Sequence, residues 1–184
     1  PAVNQGTPLS HFTLPGLDGE DIGTETFIDS PLIISFWATW CEPCKKELSD
    51  LTQLLKKEKF KDVKVIAVAT DAPETLPAVR AVVDEKSWPF FIALDSDGAT
   101  MARLNPRGAT PFSIFVGRGG IKLFEHDGYK PRVLPKYEAH LDALLQSSAE
   151  ENPSNTADFS YSLTNTLDTA YWHSIDGFED KEGF

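Results

Sequence analysis

Phe36-Trp37-Ala38-Thr39-Trp40-Cys41-Glu42-Pro43-Cys44-Lys45-Lys46-Glu47-Leu48 decides how this chain is read. Upstream, Leu32 to Trp37 reads as a buried strand, and Pro31 suits a strand start. Downstream, Leu48, Leu51 and Leu55 recur at spacings of three and four, one stripe of a helix. Pro43 falls in the first turn of that helix, where a missing N–H costs nothing. The two cysteines therefore sit where a buried strand turns into a helix. Disulfide exchange needs a thiolate, and free cysteine, with a pKa of about 8.5, is mostly protonated at neutral pH. The unpaired N–H groups and dipole at a helix start favour the anion. Cys41 is thus expected to be the exposed attacking sulfur, and Cys44, one turn in, the shielded resolving one. Lys45 and Lys46 read as solvated helix residues.

Cys41 and Cys44 are the chain's two cysteines. They are too few for a disulfide framework or a four-thiolate zinc site, and His11, His126, His140 and His173 show no metal spacing. A redox dithiol remains. A purely structural disulfide is the plainer alternative, but a loop this short constrains the unfolded chain little. Glu47 lies three positions after Cys44, on roughly the same helix side. It reads either as a carboxylate that opposes thiolate formation and relays protons, or as an exposed helix Glu; spacing leaves both open.

Outward from this stretch, His11 to Leu14 predicts a short strand, and Asp18-Gly19 a hairpin turn. Val63 to Ala69 and Phe90 to Leu94 predict buried strands, with a helix over 75–86 between them and a short one over 99–104 after them. Pro111 to Val116 and Ile121 to Glu125 predict strands joined by Gly117-Arg118-Gly119-Gly120. A last helix spans 133–146, with Leu134, Tyr137, Leu141 and Leu144 on one face. This order gives an α/β fold: a central mixed sheet with helices on both faces and an N-terminal β-hairpin extension.

The 184 residues carry a net charge of −11, which argues against a nucleic-acid partner. The domain is expected over 1–148, with a linker and acidic, aromatic-rich tail over 149–184. Residues 149–184 hold eight acidic residues and one Lys, and six of the chain's 20 aromatics. That is too many aromatics for a solvated spacer and too little chain for a separate core, so the tail is expected to dock on this domain, a second copy or a further domain. No apolar run is long enough for a membrane helix. The opening Pro1-Ala2-Val3, without Met, is expected of a mature or trimmed form whose targeting or anchor segment is absent.

The stretch from Phe36 to Leu48 resembles the active-site segment of the TlpA/ResA group, thioredoxin-like extracytoplasmic thiol–disulfide oxidoreductases. The element order agrees over about residues 7–147. The resemblance implies a thioredoxin-like fold and catalytic roles for Cys41, Cys44 and Glu47, the last as the acidic residue of the active-site cavity. It implies a substrate-binding surface of Trp40, Glu42, Pro43, Thr110 and Pro111, with Trp40 covering the cysteine and Pro111 as the family's cis-proline. It implies no metal and no cofactor beyond the Cys41–Cys44 pair. Protein disulfides or dithiols would be the substrates, apocytochrome c among them, with a membrane electron donor and a place in the periplasm or on the outer face of the cytoplasmic membrane. Three departures stand out. Ser35 occupies the place of the buried Asp of thioredoxins proper. Phe112-Ser113 replaces the usual Thr-Thr or Thr-Phe. The tail has no counterpart. The alternative functions are a dithiol oxidase or isomerase on the same fold, a peroxidase, which the Ala38 in place of a Thr argues against, and a non-catalytic binding module.

Overall fold

A computed structural model describes residues 6–147 of the chain. The tail and the domain boundary near 148 lie outside the described residues. The six-stranded sheet has the order β1 (Thr7–Pro8), β8 (Ile121–Asp127), β7 (Phe112–Gly117), β4 (Leu32–Trp37), β5 (Lys64–Ala69), β6 (Phe91–Leu94). β4, β5 and β6 run parallel, and β7, β8 and β1 add antiparallel pairs. All six residues of β4 are buried, as a strand covered on both faces requires.

Alternation along β4 divides the core in two. Ile33 and Trp37 point to one face, joined there by Leu48, Leu51 and Leu54 of α1 (Glu42–Leu54), Val79 of α2 (Leu76–Lys86), and Tyr137, Leu141 and Leu144 of α4 (Leu134–Gln146). Ile34 and Phe36 point to the other, against Leu9, Phe12 and Ile22, with Met101 and Leu104 of α3 (Ala99–Leu104) packed on it. Helices cover both faces, three on one and a short one on the other. The second face is finished by a hairpin of β2 (Thr13–Pro15) and β3 (Asp21–Gly23), whose Gly19 has φ 96°. The Leu17 N–H donates to the Ile92 carbonyl at 2.9 Å, which ties the hairpin to β6.

The strand expected from His11 begins two residues later, because Phe12 uses its N–H and C=O on Thr24. α3 is capped by Asp95, which is buried and accepts the N–H groups of Thr100 at 3.1 Å and Met101 at 2.7 Å.

Candidate active site

The site forms where β4 ends. Trp37 gives its carbonyl to the N–H of Thr70, just past β5, at 2.9 Å. The next turn is anchored by Asp71, whose two carboxylate oxygens accept the Thr39 N–H at 3.1 and 3.0 Å while Thr39 Oγ1 donates to Oδ1. The Cys41 N–H donates to the Ala38 carbonyl at 3.0 Å, and α1 begins with Cys41 as its N-cap. The Cys44 N–H donates to Cys41 Sγ at 3.3 Å, and the two sulfurs are joined as a disulfide. A sulfur at an N-cap faces the unpaired amides of the first turn, which would hold it as a thiolate when the bond opens.

Cys44 is fully buried, as expected of the shielded partner. Cys41, expected to be exposed, is 5% exposed: in the closed pair its sulfur is turned back onto the helix start. It is still the more open of the two. Glu42 and Pro43 are on the surface beside it, and Lys45 and Lys46 pair with Glu42 and Asp50. Trp40, expected to cover Cys41, is 72% exposed. The anchoring of Thr39 to Asp71 leaves the indole outside the core. The Thr110–Pro111 peptide is cis. Phe36 pairs with Phe112, so Thr110 and Pro111 enter β7 at the sheet end where β4 delivers the cysteines. Among the described residues, Thr110 offers a peptide N–H and C=O with no backbone partner.

Glu47 is completely buried. It lies on the stripe that buries Cys44, Leu48, Leu51 and Leu54, so an exposed position is ruled out. Three hydroxyls meet its carboxylate: Ser113 Oγ at 2.6 Å and Tyr137 OH on Oε1, and Ser35 Oγ at 3.2 Å on Oε2. Ser35 and Ser113 are cross-strand partners in β4 and β7, so one row of the sheet supplies both. Burial pushes the Glu47 carboxyl up to about 7, and the hydroxyl bonds from Ser113, Tyr137 and Ser35 pull against that rise. Burial first, then the nearby Glu47, raises the Tyr137 hydroxyl far above the ordinary range, so it stays a donor.

Of the residues expected at the site, Cys41, Cys44, Glu42, Pro43, Trp40 and Glu47 gather at the start of α1, and Thr110 and Pro111 flank the same sheet end. Asp71 was not anticipated, nor were the hydroxyls of Ser113 and Tyr137 as partners of Glu47. Asp71 carried one signal: it closely follows a parallel strand, where α/β sheets collect functional groups. Among the described residues, no group of three or more His, Cys, Asp or Glu side chains could hold a metal ion, and no helix is long and apolar enough to cross a membrane.

The chain is similar to known proteins in sequence and in fold. The sequence pattern of the AhpC/TSA family matches residues 5–121. The chain is similar to thiol-disulfide oxidoreductase ResA of Bacillus thuringiensis subsp. konkukian, 36% identical over 93 residues, which are 50% of this chain and 53% of that protein. The match thus spans about half the length of that relative. Against ResA of Bacillus thuringiensis strain Al Hakam the identity is 31% over 140 residues, 71% of this chain and 79% of that one. Among solved structures, a Chlorobium tepidum protein described as a thiol:disulfide interchange protein DsbE superimposes with a TM-score of 0.69 at 28% identity, covering 78% of this chain and 99% of that one.

Proposed function

The chain belongs to the AhpC/TSA family, within its thioredoxin-like fold, and from that premise we propose that it is a thiol–disulfide oxidoreductase that reduces disulfides in extracytoplasmic proteins. The observation that carries the reading is the Cys41–Cys44 pair at the N-cap of α1 with the buried Glu47 one turn further along.

In the reduced pair, the Cys41 thiolate attacks a substrate disulfide. A Cys41–substrate bond forms, the substrate S–S bond breaks, and the first substrate sulfur leaves as a thiolate that takes a proton. The Cys44 thiol then gives its proton to the Glu47 carboxylate, and its sulfur attacks Cys41 Sγ. The pair closes, the second substrate sulfur departs, and two electrons have passed to the substrate. A carboxyl with a pKa near neutrality suits such a proton carrier. Trp40, Glu42, Pro43 and the Thr110–Pro111 peptide form the face for the substrate chain, and the Thr110 N–H and C=O, without a backbone partner among the described residues, suit an added extended strand. No cofactor beyond the cysteine pair enters the reaction. Ala38, buried before Cys41, offers no hydroxyl for peroxide.

The likeness to the TlpA/ResA group supports a location outside the cytoplasm, re-reduction by a membrane electron donor, and apocytochrome c as the substrate class. The aromatic, acidic tail is assigned to docking on its composition alone. The test is trapping: Cys44→Ala in a native extract should accumulate a mixed disulfide on Cys41 that identifies the substrate, and purified wild-type protein should reduce insulin with a dithiol donor. A Cys41→Ala variant that keeps full biological effect would instead make the chain a binding module.

A further inference from the structure

The two oxygens of Glu47 keep unequal company. Oε1 receives two hydroxyl protons, from Ser113 at 2.6 Å and from Tyr137. Oε2 receives one, from Ser35 at 3.2 Å. An oxygen with both lone pairs engaged has no place for a proton of its own, whereas Oε2 does. A proton arriving on Oε2 must then be donated in turn, because an unmade bond in this buried site is costly. Ser35 Oγ is the described atom already bonded to Oε2, and a serine hydroxyl rotates to suit.

We propose that Tyr137 and Ser113 are positioning residues that hold Oε1 as a standing acceptor. Glu47 then carries its working proton on Oε2, against Ser35, whose hydroxyl reverses its hydrogen bond each time that proton arrives or leaves. This rests on Glu47 as the proton carrier in the proposed reduction. The step balances: Cys44–SH and the Glu47 carboxylate become the Cys44 thiolate and the Glu47 acid, and Ser35 turns from donor to acceptor. When a dithiol donor reopens the Cys41–Cys44 bond, Cys44 leaves as a thiolate and the proton returns to it.

The surroundings leave this division of labour to the hydroxyls. His126 of β8 is the cross-strand partner of Ser113 and meets the Tyr137 ring edge-on at 5.0 Å. Tyr129 packs on Tyr137 at 5.6 Å and donates its hydroxyl to Asp50 at 2.8 Å. Asp50 also pairs with Lys46. Burial first, and then Lys136 of α4, holds the His126 imidazole below its ordinary pKa, with Asp127 pulling the other way, and His140 stacks on Phe124. The bonds made to the Glu47 carboxylate come from Ser35, Ser113 and Tyr137 alone among the described residues.

The experiment is an infrared pH titration of the protonated Glu47 carbonyl in the full chain, the band being identified by its loss in Glu47→Gln. Tyr137→Phe and Ser113→Ala each remove a donor to the charged form, so each should raise the midpoint from about 7 by roughly one pH unit, tenfold in proton affinity. Ser35→Ala removes both a donor to the charged form and the acceptor for the acid form, two losses that oppose each other, so its midpoint should move less than in the other two variants. The pH profile of disulfide exchange should move with the midpoint in each variant. A midpoint that stays or falls in Tyr137→Phe, or rises in Ser35→Ala as far as in Tyr137→Phe, overturns the proposal. If Tyr137→Phe does not fold, the smaller change Ser113→Ala decides by the same criterion. A protein that titrates as expected but reduces no disulfide ends the functional reading and leaves this assignment standing. Unmoved midpoints in an active reductase do the opposite.

Discussion

Glu47 on α1 and His140 on α4 are both buried titratable side chains on the same face of the sheet, and they are buried in different ways. Glu47 is met by three hydroxyls from β4, β7 and α4. His140 lies between rings, stacked on Phe124 at 4.1 Å and edge-on to Phe115 at 5.0 Å, and its Nδ1 has no hydrogen-bond partner among the described residues. Burial moves both toward neutrality, Glu47 up to about 7 and His140 down to about 4. Only Glu47 is provided with partners that accommodate its charged form. The contrast separates a group placed to gain and lose a proton from one placed to pack.

The largest expected effect tests the wall they share. Phe115 meets Tyr137 edge-on at 5.1 Å and His140 at 5.0 Å. Phe115→Ala should cost about 3–5 kcal/mol by denaturant unfolding, the range for emptying a large buried ring. A loss under about 1 kcal/mol would mean that neither site depends on this packing.

Next comes pH. Between about 4.5 and 7 the folded state binds the Glu47 proton and the unfolded chain does not, so this group's contribution to stability falls as pH rises, by about 3 kcal/mol in all. Between about 4 and 6.5 the unfolded chain binds the His140 proton and the folded state does not, so its contribution rises with pH by a similar amount. The two slopes oppose each other across about pH 4.5–6.5. Relative to wild type, Glu47→Gln should therefore gain stability as pH rises through this window, and His140→Phe should lose it. Urea unfolding at several pH values checks the signs, and parallel curves for all three proteins would contradict both assignments.

Much of this was legible in the chain. β4, β5 and β7 are buried on both faces, so they appear as mostly apolar runs of strand length, with Ser35 and Ser113 as the polar members of β4 and β7. β1 was not legible, being two residues long with exposed side chains, and β3 was legible only as the second arm of the hairpin that Asp18-Gly19 turns, its three residues carrying no clear pattern of their own. The burial of Glu47 was half visible: Cys44, Leu48 and Leu51 bracket it on one stripe, yet a carboxylate on an apolar stripe needs partners before it can be placed inside. Those partners come from afar, Tyr137 lying 90 residues away, and only the packing of α4 across the sheet brings it in. The apolar face of the last helix places the Tyr137 ring in the core, but the pattern says nothing of where its hydroxyl bonds. Leu54 rather than Leu55 is the buried end of the α1 stripe, a small drift of helical phase.

A smaller effect belongs to the turn before Cys41. Asp71→Asn weakens the paired bonds to Thr39 and should cost about 1–2 kcal/mol, with slower alkylation of reduced Cys41 as the turn loosens. Unchanged stability and alkylation would remove Asp71 from the site. The smallest effect concerns Lys46, half exposed and paired with Asp50. Lys46→Ala should change stability by less than about 0.5 kcal/mol and leave thiol reactivity as it was.

The most direct measurement is the iodoacetamide reaction rate of reduced Cys41 and Cys44 against pH, mapped by peptide, in wild type, Glu47→Gln and His140→Phe. Cys41 should react first and titrate lower than Cys44. Glu47→Gln should lower the Cys41 pKa by removing a nearby negative charge, and His140→Phe should leave it unchanged. If Cys44 reacts first near neutral pH, or if Glu47→Gln titrates like wild type, the assignment of the two sulfurs and of their buried carboxylate is wrong.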